Sequence, residues 1–344
     1  MKERTNALFY IDPFDPVTEG DFCCAQEAGS KLGVDVAFLP LPDRFLVKPG
    51  ADLASREEML RLYLAGKGSL SLLSPKPWLE TLKEENGRAS LLLKKETYRL
   101  LMEKGLLASP NPERTVYLLG GERIGEAVPL SLSPLPPSPS KARNLACPGI
   151  GPELWAYIER KRLYYAGYLQ KKLASEHRFQ HSLSVAHLCY RIAVSNGLEK
   201  PERAYIAGIF HDLAKHCPQE EERSIMEGRF PEYLSFPPWS YHQFTGKYLA
   251  ERELGIEDEG ILDAIEFHST GKKGMSPLGK IVYASDKIDP LRGYDSGAMI
   301  QECLEDYRKG FLTVLKENRA YLTKKGYKVD NPLTEECFRY YLGD

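Results

Sequence analysis

The feature that most constrains this chain is a change of hydrophobic period near residue 170. Before it, short apolar runs of strand length alternate with helix-length stretches; from Ser175 onward strand signals nearly vanish. Ala7 to Ile11 and Val34 to Leu39 read as strands, with the helix-length stretch Val17 to Leu32 between them. Ser55 to Leu64 carries Met59, Leu60, Leu62 and Tyr63 on or near one helical face, and Thr115 to Leu119 is a further β-rich run. Strands alternating with helices imply a parallel sheet in an α/β layer. Ser131 to Ser140 is mostly serine and proline, hence a loop, after which Pro152 opens a helical segment, Glu153 to Arg162. Two domains are expected, residues 1–168 and 169–344, with the boundary around Gly167 to Leu173.

In the second half His181, Val185, Leu188 and Ile192 share a helical face that Gly197 terminates, and Pro201 opens a helix through Ile206, Phe210 and Leu213. Tyr241 to Leu254, Asp258 to Phe267, Pro277 to Ile288 and Ile300 to Lys325 complete an all-α domain. With 344 residues, 42% hydrophobic and 27% charged, the chain can bury a core in each half. Its net charge of −2 supplies no global field for nucleic acid or an anionic membrane, so neither is expected as a partner. A polyanion would have to be met by local charge, and a bound metal is the obvious source. The seven cysteines, Cys147 among them, are scattered without a C-x-x-C pair, which argues against a disulfide framework or a zinc knuckle. Lys2, Glu3 and Arg4 lead straight into an apolar strand with no signal-peptide core. Nowhere does the sequence offer the ~18 uncharged apolar residues of a membrane span, so the cytoplasm is the expected compartment.

All seven histidines lie between His177 and His268. Five segments form a spaced series: Arg178-Phe-Gln-His181, His211-Asp212, Tyr241-His242, His268-Ser-Thr-Gly271 and Ser285-Asp286. Imidazole and carboxylate suit Fe, Mn, Co or Zn where water must also bind. Neighbouring helical residues diverge by about 100°, so His211 and Asp212 must bend toward a metal lying between their directions. The other ligands would arrive from separate helices, as in bundle-core sites. A lone histidine such as His242, or a lone His-Asp pair, is more often an ordinary buried or surface residue. The series together points to a metal site, and His177, His187 and His216 fall outside it.

The segments HRFQHSLSVAHLCYRIA, AYIAGIFHDLAKHCP, YHQFTGKYLAERELGI and ILDAIEFHSTGKKGMSPLGKIVYASDKIDPLR resemble the HD-domain superfamily, and within it the YqeK-type symmetrical diadenosine-tetraphosphatase family. The resemblance runs from about Glu176 to the end of the chain. It implies an all-α HD fold and a centre of two transition-metal ions, iron in first place with manganese or cobalt as alternatives. It assigns His181, His211, Asp212, His242, His268 and Asp286 as ligands. It also implies a dinucleoside polyphosphate substrate cut by metal-activated water into two nucleoside diphosphates. Asp212 then fits a bridging role that also steers the attacking water, and Lys215, one turn past His211, reaches either a phosphate oxygen or solvent. Thr270, Gly271 and Lys272 in the turn after His268 are phosphate candidates, since glycine admits close backbone approach and lysine adds charge; an exposed basic turn is the plain alternative. Arg178 and Arg292 can fork onto phosphate or pair with a carboxylate. A homodimer stays open, as does an HD phosphohydrolase acting on another nucleotide.

In the first half, Phe14-Asp15-Pro16-Val17 after a strand, Lys48, Arg56 to Leu60, Ser138 to Arg143, and Pro152 to Ile158 with Leu163-Tyr164 resemble the nicotinate-mononucleotide adenylyltransferase family, which implies a Rossmann-like nucleotidyltransferase fold. The departures are at the motif itself. The family's two glycines are Ile11 and Asp12 here, and its H-x-G-H histidines are Thr18 and Asp21, with only Gly20 kept. Those histidines stabilise charge on a triphosphate, and a carboxylate would repel it. The domain is therefore expected not to transfer adenylyl groups. It either binds a nucleotide through Arg143 or only packs against the hydrolase; a bifunctional enzyme is the rival reading. Cys23 and Cys24, on a helix with Phe22 and Ala25, read as buried core thiols.

Overall fold

The computed structural model describes residues 7–46, 50–68, 70–73, 90–107, 114–133, 135–146, 148–326 and 330–343; Lys48 and Cys147 lie outside the described residues. The chain divides into two compact units, one of residues 1–143 with 149–164, the other of residues 144–148 with 165–344. The stretch Gly167 to Leu173 lies inside a continuous helix, Tyr164–Leu173.

The first unit is built on six parallel strands: β1 (Ala7–Asp12), β2 (Asp35–Pro40), β3 (Leu70–Leu72), β4 (Ser90–Leu93), β5 (Val116–Leu119) and β6 (Val128–Leu130). Their order is β3-β2-β1-β4-β5-β6, the doubly wound arrangement of Rossmann-like sheets. Leu8, Phe9, Tyr10 and Ile11 of β1 are all buried, because a parallel strand covered by helices on both faces has no solvent side and loses its alternation. Helix α1 (Glu19–Leu32) begins at a capping box in which Thr18 and Asp21 satisfy each other's backbone N–H, and it ends at Gly33 in the left-handed region. Helices α2 (Leu53–Leu64), α3 (Lys95–Glu103), α4 (Pro139–Arg143) and α5 (Pro152–Lys161) are the other α-helices among the unit's described residues. Cys24 is buried as expected, and burial pushes its thiol up to about 12. Cys23 is only half-buried, its Sγ turned toward Glu19.

The sheet order reverses between β1 and β4, and ligands of such sheets bind beyond the strand ends at that point. Here that position is a cavity of about 500 Å³ lined by Asp12, Lys94, Thr97 and Gly120, whose charged groups are paired with one another. Lys94 Nζ lies 2.8 Å from Asp12 and 2.8 Å from Asp21, and the Tyr10 hydroxyl donates to Asp21 at 2.8 Å. Arg143 is also spent: its Nη2 donates to Asp15 at 2.6 Å, alongside the Tyr164 hydroxyl and the backbone N–H of Gly50 and Ala51.

The second unit, which has no strand among its described residues, runs from α6 (Tyr164–Leu173) through α7 (Glu176–Ser195), α8 (Glu202–Phe210), α9 (Gln219–Arg229), α10 (Tyr241–Leu249), α11 (Glu259–Glu266), α12 (Pro277–Ile288), α13 (Gly297–Glu305) and α14 (Tyr307–Lys324) to α15 (Pro332–Leu342). Two helices end earlier than their sequence period suggests. The one expected through Leu213 stops at Phe210, and residues beyond it turn on tighter bonds such as Leu213 N–H to Phe210 O. The one expected from Ile300 to Lys325 breaks at Asp306, whose side chain caps α14 by accepting from the Arg308 N–H. A close contact within the core is at Gly208 of α8: a Cβ there would sit 2.9 Å from Ala186 Cα, so only glycine lets α7 and α8 approach this closely. That approach brings His211, three residues later, beside the helix bearing His181.

Candidate metal centre

Three of the four expected histidine ligands are presented in the same way. His211 Nδ1 donates to the Gly208 carbonyl at 2.6 Å, His242 Nδ1 to Trp239 at 2.9 Å and His268 Nδ1 to Ile265 at 2.8 Å, each a carbonyl three residues back. His181 Nδ1 donates instead to Asp289 Oδ2 at 2.6 Å. A carbonyl or carboxylate can only accept, so these bonds fix the proton on Nδ1 and leave Nε2 facing inward as the ligand atom.

The Nε2 atoms converge on two carboxylates. Ligand atoms of His181, His211 and Asp212 all lie within 4.8 Å of one another, and so do those of Asp212, His242 and His268; every one of these residues is buried. Asp212 Oδ1 stands 3.4 Å from Nε2 of both His242 and His268, while Oδ2 is 3.8 Å from His211 Nε2. Asp286 Oδ1 closes the other side, 3.2 Å from His181 Nε2 and 3.7 Å from His211 Nε2.

Electrostatics prepare these groups as ligands. Burial pushes His211 down to about 3 and His242 down to about 4, so both rings are neutral near pH 7. Burial works against ionisation of Asp212 and Asp286. His211 and the neighbouring imidazoles outweigh it at Asp212, and Lys287 and Arg292 outweigh it at Asp286, holding both well below the usual carboxylate range. Burial likewise opposes protonation of His181, but Asp286 and Asp289 prevail and raise the ring to about 9, so a cation entering there displaces a proton.

Two observations show that the cluster fits cations. Nε2 of His181 and of His211 are buried without an aligned hydrogen-bond partner, which in a native core calls for an explanation. Nε2 of His242 and His268 also face each other at 3.3 Å with their protons held on Nδ1, so two lone pairs and the Asp212 carboxylate share a space that only positive charge stabilises. Lys215 partly meets that need, its ammonium 3.0 Å from His242 Nε2 and 3.6 Å from Asp212.

The outer expectations divide. Arg178 Nη1 reaches Asp212 at 3.3 Å, and Arg292 grips Asp286 through both its carboxylate and its backbone carbonyl, so both arginines pair with the carboxylates of the cluster. The turn after His268 is different. The Thr270 hydroxyl is fully buried and bonded to Gln243 and the Gly271 carbonyl, and Gly271 packs on Cys337 with φ +68. Lys272 is committed to Asp263 and lies 4.1 Å over the Phe267 ring. These three residues have the surroundings of a packed structural turn rather than an open phosphate cradle. Sequence reasoning missed Asp289, Ser184, which donates to it, and Lys287, whose Nζ is 2.9 Å from Asp286. An acidic residue one turn beyond Asp286 was the available signal for the first.

The model of the HD domain family matches residues 178–291, the span that carries this cluster. A symmetrical bis(5'-nucleosyl)-tetraphosphatase of Bacillus subtilis (strain 168) is 35% identical over 162 residues, covering 46% of this chain and 87% of that protein. The chain belongs to the symmetrical bis(5'-nucleosyl)-tetraphosphatase family. A second protein of the family, from Halalkalibacterium halodurans, is 31% identical over 87% of its length. A Mycoplasma genitalium protein described as a probable nicotinate-nucleotide adenylyltransferase/Ap4A hydrolase is 31% identical over 46% of this chain and 47% of its own. A solved Clostridium acetobutylicum structure, described as a predicted HD superfamily hydrolase involved in NAD metabolism, is 32% identical, with a TM-score of 0.45, covering 51% of this chain and 94% of that one.

Proposed function

We propose that the helical unit hydrolyses dinucleoside tetraphosphates, diadenosine tetraphosphate first among them, at the midpoint of the phosphate chain to give two nucleoside diphosphates. The observation that carries this reading is Asp212, whose carboxylate belongs to both ligand triads and so suits a bridge between two ions. His181, His211 and Asp286 would complete one ion's protein ligands, and His242 and His268 the other's. The mixed nitrogen and oxygen set suits iron, with manganese or cobalt as alternatives. When bound, such ions supply positive charge for phosphoryl oxygens and lower the pKa of a coordinated water towards ~7.

The chain's own residues do the rest. Asp212 orients the attacking water from its position between the triads. Arg178 and Lys215, both partly exposed and adjacent to Asp212, meet the phosphate oxygens as the substrate enters. Lys287 and Arg292 keep Asp286 ionised.

Relatives named as adenylyltransferase/hydrolase fusions, together with the Rossmann-like sheet, favour a bifunctional enzyme as the second reading. The Lys94 ion pairs with Asp12 and Asp21 and the commitment of Arg143 to Asp15 count against it, because they use internally the charges that a triphosphate would need. We assign residues 1–168 no adenylyl transfer.

The test is product analysis with anaerobically purified full-length protein. ADP should be the only nucleotide released from diadenosine tetraphosphate, and EDTA or His211→Ala should abolish its release. ATP with AMP as products would overturn the symmetrical cut, and labelled AMP transfer from ATP to nicotinate mononucleotide would restore the bifunctional reading.

A further inference from the structure

Two large aromatic side chains stand exposed beside the metal cluster, and nothing in the cluster's chemistry uses them. Trp239 is 51% exposed and Tyr294 47%. Each is tied to a different side of the ligand set. Trp239 lies in the 3-10 turn Pro238–Ser240 that leads into α10, and its carbonyl accepts the His242 Nδ1 proton. Tyr294 follows the turn Pro290–Arg292, and its hydroxyl donates to the carbonyl of Lys287, next to Asp286. The Trp239 backbone is thus anchored at His242, and the Tyr294 phenol beside Asp286.

The Trp239 segment is held firmly. Tyr233 stacks on Phe244 of α10 with ring centroids 4.3 Å apart, and Phe236 packs against both rings, so the chain leading to Trp239 is fixed to the helix that carries His242. A fixed indole facing water is a ready stacking surface, and an aromatic face binds any nucleobase because every base has a π-face.

We propose that Trp239 and Tyr294 are the two base platforms of this centre, each stacking one nucleobase of a dinucleoside polyphosphate whose phosphates span the cluster. The inference rests on the reading of the reaction given above and adds its substrate-specificity residues. It also gives the symmetrical cut a physical origin: one base held on the side of each triad leaves the middle of the phosphate chain over the shared Asp212.

The experiment is steady-state kinetics with diadenosine tetraphosphate, with ADP and inorganic pyrophosphate as competing ligands. Trp239→Ala keeps the backbone carbonyl that orients His242, and should raise KM about tenfold with the loss falling on KM rather than kcat. Trp239→Phe should recover most of it. Tyr294→Phe, which keeps the ring but loses its bond to the Lys287 carbonyl, should fall between native and Tyr294→Ala, and Tyr294→Ala should behave as Trp239→Ala. The inhibition constant of ADP should rise in both alanine variants while that of pyrophosphate stays within twofold. Unaltered KM in both alanine variants, or equal weakening of ADP and pyrophosphate, would overturn the proposal. If native protein failed to cut diadenosine tetraphosphate, the reaction reading would fall by itself. The platforms would then be judged by direct binding to the manganese-loaded protein: selective loss of ADP over pyrophosphate in Trp239→Ala upholds them, and equal binding by native and variant rejects them.

Discussion

Asp289 Oδ2 lies 2.6 Å from His181 Nδ1, on the far side of the ring from the cluster, while Asp289 Oδ1 takes the Ser184 hydroxyl. Three of the four candidate ligand histidines rely on a carbonyl three residues back in the chain; His181 alone is oriented by a side chain from another element. Loss of such an outer partner typically weakens metal affinity about 10–100-fold. Asp289→Ala should therefore lower metal content at limiting metal by that factor and regain activity in excess metal. Equal metal affinity in native and variant protein, measured by equilibrium dialysis, would remove the orienting role.

The shared position of Asp212 makes a stoichiometric prediction. His268→Ala takes one nitrogen from one triad and should leave about one tightly bound ion per chain, whereas Asp212→Asn weakens both triads and should leave fewer. Metal analysis of dialysed protein reads the difference. If Asp212→Asn retained the full native content, the carboxylate would not be a bridge.

In the Rossmann-like unit, Lys94 neutralises two buried carboxylates. Lys94→Met should destabilise that unit by ~3 kcal/mol, the usual cost of stranding a buried charge. Its pH dependence has a definite sign. Burial, and after it Asp21, raises Asp12 above its ordinary 3.8, with Lys94 opposing. A carboxyl raised on folding holds its proton more tightly folded than unfolded, so its contribution is favourable below 3.8 and is lost as pH climbs through the folded value. Removing Lys94 raises that folded value further. The deficit of Lys94→Met, read from thermal unfolding of the full chain, should be largest near pH 7 and smallest near pH 4; a deficit independent of pH would contradict the ion-pair account.

How much of this was legible in the sequence depends on the range of the interaction concerned. The candidate ligand residues were readable as a cluster because each sits in a short segment with its own signature, and the helices that carry them keep a clear period over many residues. β3, β4 and β6 were not read, since runs as short as Leu70–Leu72 or Val128–Leu130 are too brief to show a period. The break at Asp306 was visible in principle as a capping residue but was overridden by apolar residues on both sides. Arg143 kept its identity yet lost its availability, because its partner Asp15 lies 128 positions away. The turn at Thr270 shows the same limit: its Gly/Lys letters suit a phosphate, and only the packing of Gln243, Asp263 and Cys337 around it reveals where those groups are spent.

Lys215 offers the sharpest kinetic test of the centre. Its ammonium bonds the inward nitrogen of His242 and approaches Asp212, a place from which an entering cation would drive it outward toward the substrate. A displaced, partly exposed ammonium at the mouth of the cluster then serves a phosphate oxygen, and a hydrogen bond to a charged group is worth ~1.5–3 kcal/mol. Lys215→Ala should accordingly lower kcat/KM about 10–100-fold, while metal binding becomes slightly tighter because the competing charge is gone. Lys215→Arg should restore part of the activity, since it keeps the charge but not the compact geometry. Full activity with unchanged metal affinity in Lys215→Ala would return this residue to the role of a surface lysine.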